Sequence, residues 1–137
     1  MRLLRRVAEH VLLAEGFTRG RLSIAVVGAT AMATLNRRFL GRTGPTDVLA
    51  FDLGSDRRRG RIDGEVVVCA DVARRRAATL GRSLQAARAE LALYVVHGVL
   101  HLAGYDDRTP ASFCRMHARE DELLGELGLG AVFGTGA

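Results

Sequence analysis

The run Leu91–Leu102 constrains this chain more than any other segment. Leu91, Ala92, Leu93, Val95, Val96, Val99, Leu100 and Leu102 make it apolar on almost every side, the pattern of a helix buried all round. Within it stand His97 and His101. Residues four apart share a helical face, so both rings point at one spot. Gly104 ends the run as a residue able to take a left-handed conformation ends a helix, and Asp106 and Asp107 follow at once. The chain can fold back there and bring either carboxylate to the imidazoles. Two buried imidazoles without partners would each forgo hydrogen bonds worth about 1–3 kcal/mol. A shared metal ion removes that cost, as does a specific acceptor for each ring. The acids behind the glycine stop favour the metal, and a three-ligand site points to metal-assisted hydrolysis. On the residues alone, Asp106 and Asp107 are equal candidates for the third ligand.

A chain of 137 residues is expected to form a single catalytic domain, residues 1–137, with 128–137 as a flexible, glycine-rich tail. No run approaches the roughly 18–20 apolar residues that span a bilayer. The N-terminal stretch reads as an amphipathic helix, not a signal peptide. Cys69 and Cys114 lack metal-type spacing and read as buried, reduced thiols, which fits a cytoplasmic protein. The net charge is +5, and all 20 basic residues are arginine. Clusters at Arg57-Arg58-Arg59 with Arg61, at Arg74-Arg75-Arg76, and at Arg37-Arg38 with Arg42 favour a polyanionic partner. Aromatics make up only 5% of the chain, which argues against base stacking on a sheet face and for backbone-phosphate contact.

Helical spacing predicts a first helix over Arg2–Glu15, and a branched run over Leu22–Val27 predicts a strand. Thr30 is expected to cap a short helix through Arg38. Asp47–Asp52 and Gly64–Cys69 read as further strands, joined by the basic loop 54–61. A helix follows from Asp71 to Leu80, then a long one capped by Ser83 and running to about Ala103. Thr109-Pro110 starts a last helix ending near Leu127. This order predicts an α+β fold: a small mixed sheet packed with helices, with the metal site at the end of a long core helix and the 54–61 loop beside it.

With these segments placed, the chain resembles the YbeY family of bacterial endoribonucleases, the ribosomal RNA maturation factors. The stretch His97-Gly98-Val99-Leu100-His101-Leu102-Ala103-Gly104-Tyr105-Asp106 follows the family's histidine motif. Gly44-Pro45-Thr46-Asp47-Val48-Leu49-Ala50-Phe51 and Gly64-Glu65-Val66-Val67-Val68-Cys69 resemble two more family stretches, in the same order. The resemblance implies a zincin-like fold, one catalytic Zn2+, cleavage of single-stranded RNA, and work on ribosomal RNA and the small ribosomal subunit in processing and quality control. It also implies His97, His101 and position 107 as the ligands, and so favours Asp107 over Asp106.

Two positions depart from the family pattern. Asp107 stands where a third histidine is usual. A set of two histidines and a carboxylate still binds zinc, and it also suits iron or manganese. Leu40 stands where the family usually has an arginine that assists catalysis. Arg42, close by, is the candidate replacement for phosphate or transition-state charge, and Asp106 is a candidate base or a group that orients a ligand imidazole. Two rival readings follow. A metallopeptidase of the His-Glu-x-x-His type needs glutamate at position 98, where this chain has glycine. A non-catalytic ribosome-assembly factor holding a structural metal is favoured by Leu40.

Overall fold

The computed structural model describes residues 1–79 and 84–129, residue 84 by its backbone alone. The expected Leu80 end of the third helix, the Ser83 cap and the tail beyond Leu129 lie outside the described residues. The elements are α1 (Arg2–Ala14), β1 (Arg19–Val27), α2 (Ala29–Leu40), β2 (Val48–Asp52), β3 (Arg61–Cys69), α3 (Ala70–Thr79), α4 (Leu84–Leu102) and α5 (Pro110–Glu126). The strands form one mixed sheet in the order β1-β3-β2, with β1 parallel and β2 antiparallel to the central β3. The fold is α+β, as its element order predicts.

The central strand explains the layering. Successive strand residues face opposite sides of a sheet. In β3, Val66 and Val68 join the large core built with α1, α4 and α5, while Val67 and Cys69 join a smaller core with Met32 of α2 and Leu49 of β2. A strand covered on both faces reads as the unbroken apolar run Val66–Cys69. In α4, Ala92, Val95, Val96, Val99 and Leu100 are fully buried, so the helix carrying the histidines runs through the main core.

Gly98 sets how closely α4 lies on the sheet. A Cβ there would stand 2.7 Å from Val66 Cγ1 and 3.2 Å from Val48 Cγ2. The glycine is therefore a seat for the helix on β3 and β2, and it fixes the height of His97 and His101 relative to the sheet.

Three local expectations need correction. The second helix starts at Ala29, with Gly28 as its N-cap, and Thr30 lies inside its first turn. The capping group comes from another helix: the Asp71 carboxylate accepts the Ala29 N–H at 2.6 Å, a contact invisible to local spacing. Strands β1 and β3 begin earlier than their branched cores, because parallel pairing carries through the polar pair Arg19 and Arg61. Cys114 is exposed, whereas Cys69 is buried. On α5 the inward row is Ser112, Met116, Glu120, Leu123 and Leu124, and Cys114 falls off it. The Thr109-Pro110 start is as expected: Thr109 and Ser112 form a reciprocal capping box with proline in the first turn.

Candidate metal centre

The last turn of α4 presents both imidazoles on one side. His97 Nε2 and His101 Nε2 stand 3.0 Å apart. The chain leaves the helix through Gly104, at φ 103°, and turns back. That turn places Asp107 Oδ2 3.9 Å from each Nε2. His97, His101 and Asp107 thus form one cluster of candidate ligand atoms. A tetrahedral ion with bonds of about 2.0–2.1 Å has ligand–ligand edges of roughly 3.4 Å. The observed edges of 3.0, 3.9 and 3.9 Å bracket that value, so the donor set fits a single ion in both chemistry and size.

Of the candidate ligands, His97 is held from behind. His97 Nδ1 donates to Glu120 Oε2 at 2.5 Å, which leaves the Nε2 lone pair facing the cluster. Glu120 is only 5% exposed. Its other oxygen, Oε1, lies 3.4 Å from His117 Nδ1. Burial pulls the His97 pKa down, but the Glu120 hydrogen bond and charge outweigh it, and the net shift is upward. Burial and the neighbouring His97 hold the His101 pKa below its ordinary value. The two rings therefore differ: one is braced by a buried carboxylate, the other is desolvated beside it.

The turn that delivers Asp107 is pinned as well. Tyr105 hydrogen-bonds into the Glu15–Arg119 pair, where Arg119 Nε donates to Glu15 Oε2 at 2.8 Å. Asp106 faces the start of α5: its Oδ1 accepts the Arg108 N–H at 3.1 Å, and the Ser112 hydroxyl hydrogen-bonds its carboxylate. That hydrogen bond, followed by the Arg108 N–H, holds the Asp106 pKa below the usual carboxylate range.

The arginine clusters divide. Arg74 is bound to Asp71 at 2.5 Å. Arg76 reaches Asp47 Oδ2 at 3.2 Å and the Tyr94 hydroxyl at 3.3 Å, tying α3 to the start of β2 and to α4. Arg76 thus joins three parts of the fold, whereas Arg74 pairs one turn back within α3. The 54–61 loop does border the site: a Cβ on Gly104 would lie 2.3 Å from Arg57 Nη1, so this guanidinium rests on the turn between the ligands. Arg42 is exposed just past the left-handed Gly41, and its side chain makes no hydrogen bond or ion pair with the described residues. Leu40 and Phe39 are exposed on the last turn of α2, with Phe39 edge-on to Phe51 at 5.2 Å.

Sequence reasoning missed Glu120. Its signal is a lone carboxylate in the apolar row Met116, Glu120, Leu123 and Leu124, where a charge needs a partner. A hollow of about 920 Å³ between α1 and β1 lies elsewhere; Leu12, Phe17 and Ile24 line it, and His97, His101 and Asp107 do not.

Known proteins resemble this chain. The family model described as Endoribonuclease YbeY covers residues 1–128. Proteins named Endoribonuclease YbeY include one from Anaeromyxobacter sp. (strain Fw109-5), 41% identical over 93% of this chain and 65% of its own length. Another, from Pelotomaculum thermopropionicum, is 41% identical over 93% of this chain and 86% of its own length. A third, from Chlorobium luteolum, is 39% identical over 91% and 87%. The chain therefore spans somewhat under two thirds of the first of these relatives and most of the other two. A solution structure from Thermotoga maritima superposes with a TM-score of 0.61 at 26% identity, covering 96% of this chain and 87% of that one. With the histidine motif, the sheet and the family model in agreement, this chain belongs to the Endoribonuclease YbeY family.

Proposed function

We propose that this protein is a metal-dependent endoribonuclease that hydrolyses phosphodiester bonds in single-stranded RNA. Its cytoplasmic task is processing of ribosomal RNA and quality control of the small ribosomal subunit. The observation that carries the reading is the convergence of His97 Nε2, His101 Nε2 and Asp107 Oδ2, braced by the buried Glu120. The proposed ion is Zn2+, one per chain, which supplies a Lewis acid for the phosphoryl oxygen and lowers the pKa of a water. His97 and His101 hold it as neutral donors. Asp107 would add a negative charge that a third histidine would not, so an ion held there would acidify water less than in a three-histidine site, and iron or manganese would compete better. Glu120 orients His97. Arg57, on the Gly104 turn, is placed to meet phosphate, and Arg42 remains the candidate on the α2 side. Asp106 acts by ordering the turn that carries Asp107.

Position 98 argues against peptide hydrolysis. A Cβ added there would stand 2.7 Å from Val66 Cγ1, so the glutamate of the His-Glu-x-x-His pattern has no room. One specific observation favours a non-catalytic assembly factor with a structural metal: the exposed Leu40 offers no charge where the family uses arginine. Cleavage of single-stranded RNA by metal-loaded protein, beside His101→Ala, separates the two. Loss of cleavage in the variant supports the enzyme; equal residual cleavage in both assigns it to a contaminant and favours the binding role. Elemental analysis of protein purified without chelator or nickel column identifies the ion.

A further inference from the structure

On α5, positions 113, 117 and 120 fall along one helical face. Phe113 and His117 are stacked, with ring centroids 5.8 Å apart and planes 6° from parallel. Phe113 is 53% exposed, and the His117 side chain is 61% exposed. The row then turns inward: Glu120 touches His117 with one carboxylate oxygen and His97 with the other. A single carboxylate thus separates an open, flat pair of rings from a metal ligand.

An aromatic pair at this spacing stabilises a helix only slightly. That accounts for the stacking of the two rings on each other. It does not account for a large apolar ring standing open to solvent on the helix whose Glu120 joins its neighbour His117 to a candidate metal ligand. An unpaired nucleobase has a flat π-face that matches such a ring, and this contact tolerates any base. A base locked in a duplex cannot offer its face in this way without unstacking.

We propose that the Phe113–His117 pair is a stacking platform for an unpaired base flanking the scissile phosphate, and that it contributes to the preference for single strands. The inference rests on the reading of the site as one that cleaves RNA. It places stacking on a helix, while the sheet faces remain covered by α2 and α4. Phe113 is the specificity-determining contact. His117 acts as a positioning residue, holding the plane of Phe113 and linking it to Glu120.

The test uses metal-loaded, full-chain protein and a single-stranded RNA carrying one 2-aminopurine, whose fluorescence is quenched on stacking. Phe113→Leu keeps an apolar side chain on an exposed helix position, and unchanged metal content and melting show that the fold is kept. It is expected to raise KM roughly 5- to 100-fold with a much smaller change in kcat, and to lose the quench. Phe113→Tyr is expected to restore both. A duplex of the same sequence is expected to respond little to either substitution. If the wild-type protein cleaves the single strand and Phe113→Leu matches it in KM and quench, the platform is refuted and the RNA-cleaving site stands. If the wild-type protein neither binds nor cleaves the single strand, the functional reading fails and takes the platform with it.

Discussion

The end of α4 and the groove between α1 and β1 make an instructive pair. The groove is a hollow of about 920 Å³, with Leu12, Phe17 and Ile24 beside Arg2, Arg5 and Arg19 in its lining. Yet among the described residues it is at the end of α4 that three candidate ligand atoms converge on one point, with His97 held by Glu120, the Asp107 turn by Tyr105, and the helix itself by its glycine seat on the sheet. Volume follows from how elements happen to meet. Convergence needs several residues fixed at once, and it is the better sign of chemistry.

The sharpest way to break this comparison is to remove one converging donor. Asp107→Ala is expected to lose bound metal almost entirely, while Asp106→Ala keeps it, as read by metal-to-protein ratio after gel filtration. The reverse pattern would move the site to Asp106. Next in size is the support behind the ligand: Glu120→Gln should weaken metal binding about 10- to 100-fold while the protein still folds, measured by competition with a chelating dye. Gly98→Ala tests the seat. The new methyl must push against the fully buried Val66, so a stability loss of about 1–3 kcal/mol is expected from shifted urea midpoints at unchanged slope.

The smaller effects lie away from the site. Hydrogen bonding by Arg74, then by the Ala29 N–H, holds the Asp71 pKa below its ordinary 3.8. Its ionised form therefore stabilises the fold above that value, and the contribution fades as pH falls through the depressed one. The stability gap between wild type and Asp71→Asn should shrink on acidification below about pH 4. At the bottom of the scale, Arg5→Ala in the groove should leave metal affinity and RNA cleavage unchanged. A large loss there would mean that the hollow matters after all.

What could be read from the sequence follows distance along the chain. His97 and His101 are four residues apart on one helix, so their meeting follows from helical geometry alone. Asp107 needed only the short turn at Gly104, although the choice over Asp106 rested on the family resemblance. Glu120 lies 23 residues from His97, and its approach depends on how α5 packs across α4. The same limit explains Arg76. In sequence it looks like part of a basic patch, but Asp47, 29 residues away, pairs with it, whereas the partner of Arg74 is Asp71, only three residues back on the same helix and within reach of local spacing. Asp71 likewise supplies the cap that local spacing assigned to Thr30. The buried helix, the sheet strands and the α5 cap were legible because period and capping chemistry are local.

The seat at Gly98 also bears on how such a scaffold can change. A glycine codon is a single base away from a glutamate codon, so the step toward the His-Glu-x-x-His pattern is short in genetic terms. In space it is long, because a five-atom carboxylate side chain at this position would collide with Val66 and Val48 and lift α4 off the sheet. The ligands would move with the helix before any new chemistry could begin. The shape of the core therefore acts as a barrier between this arrangement and that of a His-Glu-x-x-His site, and crossing it requires β2 and β3 to be remodelled first.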